Sequence, residues 1–265
     1  MDQYWHKQTA DQPLSTDLLW SRPENKRLAG KLLIIGGSAH GFRAPAEAYA
    51  QALSGGAGVA RVILPDALRG TVQSFFPQAD FAPSTPSGSL ARGSLDILLE
   101  GAGWADAVLI AGDLDRNSET TIVLESFISK YSGPLIVAQD GVDHFSSSPK
   151  LLLDRKETVL VGSLAQLQKI ATKVSFPRAF TLNMDLLNLV STLHDFSNIY
   201  PAGIIVKHLD NFAITFNGMV GTMAQRSEHA AWRVPLAARS SVWWMQNKTK
   251  LFVALNCALY EYLID

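Results

Sequence analysis

The residues that most restrict this chain are Leu32 to Ile35, an unbroken apolar run that leads straight into Gly36-Gly37-Ser38. Successive strand side chains point to opposite faces, so an apolar run without alternation predicts a strand covered on both sides. Ala44 to Leu53 follows, alanine-rich and free of glycine, and predicts a helix that Gly55-Gly56 ends. Val59 to Leu64 supplies the next apolar strand. Strand, helix and strand in this order call for a parallel sheet with helices laid over it.

The same rhythm continues. Asp106 to Ala111, Leu135 to Ala138 and Thr158 to Val161 predict further strands. Ala67 to Phe75, Leu95 to Glu100, Glu119 to Lys130, Leu164 to Ala171 and Asn183 to Phe196 predict helices, and Pro83 to Gly93 an exposed loop. Then the pattern changes. Gly203 to Val206 is apolar, and Phe212 to Phe216 and Met219 to Thr222 flank Asn217-Gly218, a strong hairpin signal because both central positions of a type I′ turn need φ > 0. Leu236 to Ile264 returns to helix with a break near Asn247 to Thr249. Nothing repeats, and no linker divides the chain. The expectation is one α/β domain over 1–265: three layers, doubly wound, a mostly parallel sheet with helices on both faces and a hairpin in the C-terminal half. Residues 1–30 form an N-terminal extension packed on it.

Composition narrows the partners. With 23 Lys+Arg against 24 Asp+Glu, the net charge of −1 gives no cationic field for nucleic acid or a membrane surface. A single cysteine, Cys257, excludes an intrachain disulfide and a cysteine-based zinc site. Met1 to Thr16 has no apolar core of a signal peptide, and no apolar run reaches the roughly 18 residues of a membrane span. A soluble cytoplasmic protein is expected. Trp243, Trp244, Phe252, Tyr260 and Tyr262 fit either a homo-oligomer interface or the core of their own chain, the core being preferred.

Ligands of open α/β sheets bind beyond the carboxyl ends of the strands. That rule nominates Gly36, Gly37 and Ser38, then Gly112 and Asp113, Gln139-Asp140-Gly141, Gly162-Ser163, and Lys207-His208. Glycine there either admits a ligand close to the backbone or simply permits a tight turn. Common motifs fail. Gly36 to Gly41 has P-loop glycine spacing, but Phe42-Arg43 replaces the lysine and hydroxyl residue. Gly56-Ala57-Gly58 precedes a strand instead of a helix. The histidines at 6, 40, 144, 194, 208 and 229 show no ligand-like spacing, so no metal site is expected.

Leu18 to Ser38, reading LLWSRPENKRLAGKLLIIGGS, resembles the opening segment of NAD(P)H-hydrate dehydratases of the ribokinase-like superfamily, approximately LLPxR…HKGxxGxVLVIGGS. Ala44 to Val59 continues in register with their YTGAAxLAAxAALRAGAGLV. Fainter similarity follows: Ala107 to Leu114 to AVxIGPGLG, Gly133 to Gly141 to PVVLDADGL, Val159 to Leu167 to VLTPHxGEFxRL, and Gly203 to Ile214 to VVVLKGxxTVI. The resemblance implies a ribokinase-like fold and use of ADP or ATP with Mg²⁺ to repair hydrated NADH or NADPH, by phosphorylation of the hydrate hydroxyl and elimination of phosphate. It places Gly36, Gly37, Ser38, Arg43, Ala44, Gly112, Asp113, Asp140 and Lys207 around a ligand, and it suggests self-association.

The departures bear on activity. His-Lys-Gly becomes Asn25-Lys26-Arg27, a family glycine becomes Arg43, and Gly162-Ser163 stands in the region of the family histidine. Above all, the Gly-x-Gly-Asp that gives this family an anion hole and a general base has no counterpart. The matching stretch reads Arg233-Val-Pro-Leu-Ala-Ala-Arg239, with Arg239 near the aspartate position, and a guanidinium cannot accept a proton. Arg43 and Arg239, if both face the pocket, favour anions. Asp140 can act as a relocated base or Mg²⁺ ligand, or merely cap a turn; Lys207 can meet a phosphate, or merely reach solvent. The leading reading is a non-catalytic or altered relative with a nucleotide- or dinucleotide-type pocket. An active dehydratase with a relocated base and a small-molecule kinase of the same superfamily are the alternatives.

Overall fold

A computed structural model describes residues 3–23, 25–74, 76–225 and 231–264. Ten strands form one sheet: β1 (Trp5–Gln8), β2 (Lys31–Gly36), β3 (Val59–Pro65), β4 (Ala79–Ala82), β5 (Ala107–Gly112), β6 (Leu135–Ala138), β7 (Thr158–Ser163), β8 (Gly203–His208), β9 (Asn211–Phe216) and β10 (Met219–Ala224). Their order across the sheet is β1-β10-β9-β8-β7-β6-β5-β2-β3-β4. From β8 through β7, β6, β5, β2 and β3 to β4 every neighbouring pair is parallel, while β9 runs antiparallel to β8 and β10. The chain builds outward from β2 to β4, returns to lay β5 on the other side of β2, and then proceeds the opposite way. The direction of winding reverses between β2 and β5.

The apolar runs are apolar because both faces are covered. Leu32 and Ile34 join one core while Leu33 and Ile35 join the other, and Leu109 and Ile110 divide in the same way. On the first face lie α1 (Thr16–Trp20), α2 (Arg43–Ser54), α9 (Arg233–Gln246) and α10 (Leu251–Ile264). The second face carries α4 (Leu95–Trp104), α5 (Ser118–Lys130), α6 (Lys150–Leu153), α7 (Leu164–Lys173) and α8 (Leu186–Ile199). Ala44, Ala48 and Ala52 recur every fourth residue, and this stripe brings α2 close to α9. The three-layer, doubly wound arrangement is the one expected, and the hairpin turns through Asn217 and Gly218 at φ 50° and 75°.

Several local expectations need correction. The extension at 1–30 is partly woven into the sheet: β1 pairs in parallel with β10, and Trp5 Nε1 donates to Thr222 Oγ1 at 2.9 Å. The 67–75 segment forms a 3₁₀ turn at Asp66–Leu68 and one short helix, α3 (Arg69–Val72), and Phe75 lies outside the described residues. The helix expected from Leu95 to Glu100 extends to Trp104. The helix expected from Asn183 begins at Leu186, because the Asp185 carboxylate accepts the Asn188 N–H at 2.7 Å and caps it. The 83–93 loop is not simply exposed: Thr85, Gly88, Ser89 and Leu90 are buried. It folds over the turn after β2, where the Gly88 carbonyl accepts the Ala39 N–H at 2.9 Å. Trp243, Trp244 and Phe252 belong to the core of their own chain. Among the described residues no helix is long and apolar enough to cross a membrane.

Candidate functional site

A reversal of winding opens a crevice at the carboxyl ends of the two strands beside it, here β2 and β5. In this chain the crevice is tightly drawn together. The Gly37 N–H donates to the Gly112 carbonyl at 3.0 Å, and a Cβ on Gly36 would stand 2.6 Å from that same oxygen. Gly36, Gly37, Ser38, Gly112 and Ala44, all nominated as ligand contacts, are buried. Gly36, Gly37 and Gly112 let two strand ends touch.

Beyond Gly112 the backbone turns through φ values that favour glycine: 121° at Gly112, 59° at Asp113 and 54° at Asp115. Asp140, on the 3₁₀ turn after β6, holds this path. One of its carboxylate oxygens accepts the Asp113 N–H and the other the Leu114 N–H, each at 2.9 Å. With both oxygens engaged, Asp140 positions a loop, which is the turn-capping role weighed from the sequence. Burial raises its pKa above the ordinary carboxylate value, against the lowering effect of the backbone donors and of His144. Gln166 extends the same lattice. Its amide nitrogen donates to the Gln139 carbonyl at 2.7 Å and to Asp143 at 2.9 Å, while its oxygen accepts the Ser163 N–H at 2.9 Å.

Asp113 is placed differently. Its Oδ2 accepts the Ala44 N–H, in the first turn of α2, at 2.7 Å, and among the described residues no donor is bonded to its Oδ1. Above it, His40 of the β2 turn meets Asp115 at 2.8 Å. On the α5 side lies a cleft of about 680 Å³, lined among others by Arg116, Ser118, Thr121, Asp140, His144 and Lys169. His144 is buried, its Nδ1 lies 2.7 Å from Thr121 Oγ1, and burial lowers its pKa. Of this lining the strand-end rule nominated Asp140 alone, and Arg116, Ser118, Thr121, His144 and Lys169 gave no signal, since they come from loops and helix ends far apart in the chain.

The remaining candidates are scattered. Lys207 is half-buried at the end of β8, its ammonium 5.7 Å from the centre of the Phe212 ring. Arg43 is exposed at the start of α2. Arg239 is not at a helix start: it lies in the middle of α9, where its Nε donates to Gln51 of α2 at 3.1 Å and its guanidinium stands 3.9 Å from Glu261 of α10. The idea that Arg43 and Arg239 share one pocket is therefore corrected, because Arg239 faces the packing between helices. The first turn of α9 reads Arg233-Val234-Pro235-Leu236, and the N-cap Trp232 supplies no side-chain cap. Pro235 has no N–H, and the Leu236 N–H returns to the Trp232 carbonyl at 3.0 Å. His229 lies outside the described residues. Among the described residues no three His, Cys, Asp or Glu side chains gather as metal ligands. Burial pushes the Cys257 thiol up to about 12, so it is not a thiolate at neutral pH.

No protein-family profile matches the chain. Among curated proteins it is similar to a bifunctional NAD(P)H-hydrate repair enzyme of Moorella thermoacetica, 28% identical over 130 residues, which cover 48% of this chain. The match spans about a quarter (24%) of that relative's length. In structure it is similar to a ribokinase-like superfamily protein of Enterococcus faecalis, with a TM-score of 0.74 and 16% identity, covering 100% of this chain and 88% of the other. The ADP/ATP-dependent NAD(P)H-hydrate dehydratase of Bacillus subtilis, co-crystallised with ATP and Mg²⁺, aligns with a TM-score of 0.59 and 12% identity over 93% of this chain and 85% of that one. The fold is ribokinase-like, and the sequence likeness points toward NAD(P)H-hydrate repair enzymes.

Proposed function

We propose that this ribokinase-like chain keeps a nucleotide- or dinucleotide-type ligand pocket along the carboxyl ends of its strands and has lost the dehydratase reaction of its relatives. One observation carries the reading: among the described residues, the first turn of α9 holds no carboxylate. The resemblance puts the general base and anion hole of the dehydratases at such a helix start. Here Arg233, Val234 and Leu236 offer no proton acceptor, and Pro235 removes a donor from the hole. Loss of a well-placed base costs about 100- to 10,000-fold in rate. Asp140, the relocated base the sequence offered, has both oxygens taken up by backbone N–H groups.

The part retained is ligand binding. Lys207 stands at the end of β8, the strand beside β7, and in this reading its ammonium meets a phosphate of the ligand. Mg²⁺ usually takes one or two carboxylates and completes its shell with phosphates and water.

The test is a turnover assay with hydrated NADH or NADPH, Mg²⁺ and ADP or ATP, run beside an active dehydratase. No recovery of reduced-nicotinamide absorbance is expected, while calorimetry detects ADP, ATP or dinucleotide binding that Lys207→Ala weakens about tenfold. Turnover at the control's rate, or failure to bind any of these ligands, would overturn the reading.

A further inference from the structure

We propose that the Asp113 carboxylate is a built-in anion at the N-terminus of α2, and that it excludes phosphate and carboxylate groups of ligands from the crevice between β2 and β5. This goes beyond the nucleotide reading and does not depend on it.

The start of a helix carries free N–H groups and the positive end of the helix dipole, and it ordinarily attracts an anion. In α2 the third residue is Pro45, which has no N–H, and the Ala46 N–H already returns to the Phe42 carbonyl at 3.1 Å. The side chain of the N-cap, Phe42, offers no cap hydrogen bond. The acceptor for the Ala44 N–H comes from the loop after β5: Asp113 Oδ2 takes it at 2.7 Å, a charge-assisted distance. The Asp113 backbone is held at φ 59°, where residues other than glycine are uncommon, and Asp140 fixes it there by accepting its N–H at 2.9 Å. Gly41 of the β2 turn lies alongside, where a Cβ would stand at ordinary contact distance, 3.8 Å, from the Asp113 carboxyl group. The carboxylate is therefore delivered to the helix start by a strained loop that a second aspartate holds in place.

Two consequences follow for ligands. A phosphate at this helix start would have to displace Oδ2 and then lie against a fixed negative charge. The free oxygen, Oδ1, can only accept, so a ligand group that reaches the crevice must be a donor such as a hydroxyl or an ammonium. Any phosphate of a ligand must lie farther along the strand edge.

Asp113→Gly and Asp113→Ser shorten the side chain at a position where glycine is at ease, and each leaves the Ala44 N–H without its acceptor. Thermal unfolding is followed with sodium formate or inorganic phosphate, against sodium chloride at equal ionic strength. In the native protein any rise in Tm with these anions comes from the general salt effect or from cations farther along the strand edge, such as Lys207. In the two variants they should raise Tm by a further saturable increment of about 2 °C or more above the native response. The Ala44 amide resonance should move with anion concentration in the variants only. An anion response absent from both variants, or equally strong at Ala44 in the native protein, would overturn the inference. Because the probes are simple anions, that failure would leave the nucleotide reading to stand or fall on its own assay.

Discussion

Asp140 spends both carboxylate oxygens on the backbone of a loop that leaves a neighbouring strand. Replacing it with alanine strips acceptors from two N–H groups and releases a loop held at positive φ, so Asp140→Ala should lose about 3 kcal/mol in urea unfolding. A loss below about 1 kcal/mol would show that the loop holds itself. His144, close by, sets a pH dependence. Burial keeps its pKa below 6.5 in the folded state, so on acidification the unfolded chain takes up a proton before the folded one does. Stability should therefore fall as pH drops through the window beneath 6.5, by at most about 1.4 kcal/mol per pH unit, and be unaffected by this group above it. Urea unfolding across that window should show a flatter slope for His144→Gln than for the native protein. These roles were legible only in part. Asp140 and Asp113 stand out as polar residues at strand ends, but their partners lie 27 and 69 residues away. No local pattern encodes such distances.

At the scale of elements, the ends of α1 and α2 meet α9 and α10 at a single arginine. The Arg22 guanidinium engages both oxygens of Glu261, donates to the Gly55 carbonyl, and lies 4.2 Å from the centre of the Trp243 ring. Glu261 also accepts the Trp243 indole N–H at 3.0 Å. The pair is about three-quarters buried, at 26% and 24% side-chain exposure, so losing one partner strands the other away from water. Arg22→Ala should cost about 2 kcal/mol or more, and Arg22→Lys should recover little of it, because an ammonium cannot match the fork. Chemical denaturation of both variants measures this, and full recovery by lysine would contradict the packing described. The helix boundaries behind this junction were unevenly readable. The break at Asn247 was plain, and α10 does begin at Leu251. The start of α9 was not, since Trp232 offers no capping side chain and alanine and serine continue through its buried face. Matching Arg239 to a helix start failed for that reason.

For the whole molecule, the central strands were readable because a strand covered on both faces needs no polar positions, as Leu32 to Ile35 and Ala107 to Gly112 display. The edges were not. In Trp5-His6-Lys7-Gln8 three of the four side chains are polar and Lys7 faces solvent, which reads as an extension, yet those residues add a strand to β10. What secures them is remote: Gln8 donates to the Asn256 carbonyl at 3.1 Å, and the Tyr260 hydroxyl to the Ala10 carbonyl at 2.7 Å. This gives the chain an awkward birth. β1 is made more than 200 residues before the β10 and α10 that hold it, so most of the sheet can assemble while β1 waits for them. Until β10 is made, the margin of the growing sheet stays open to other chains, and only then can β1 close it.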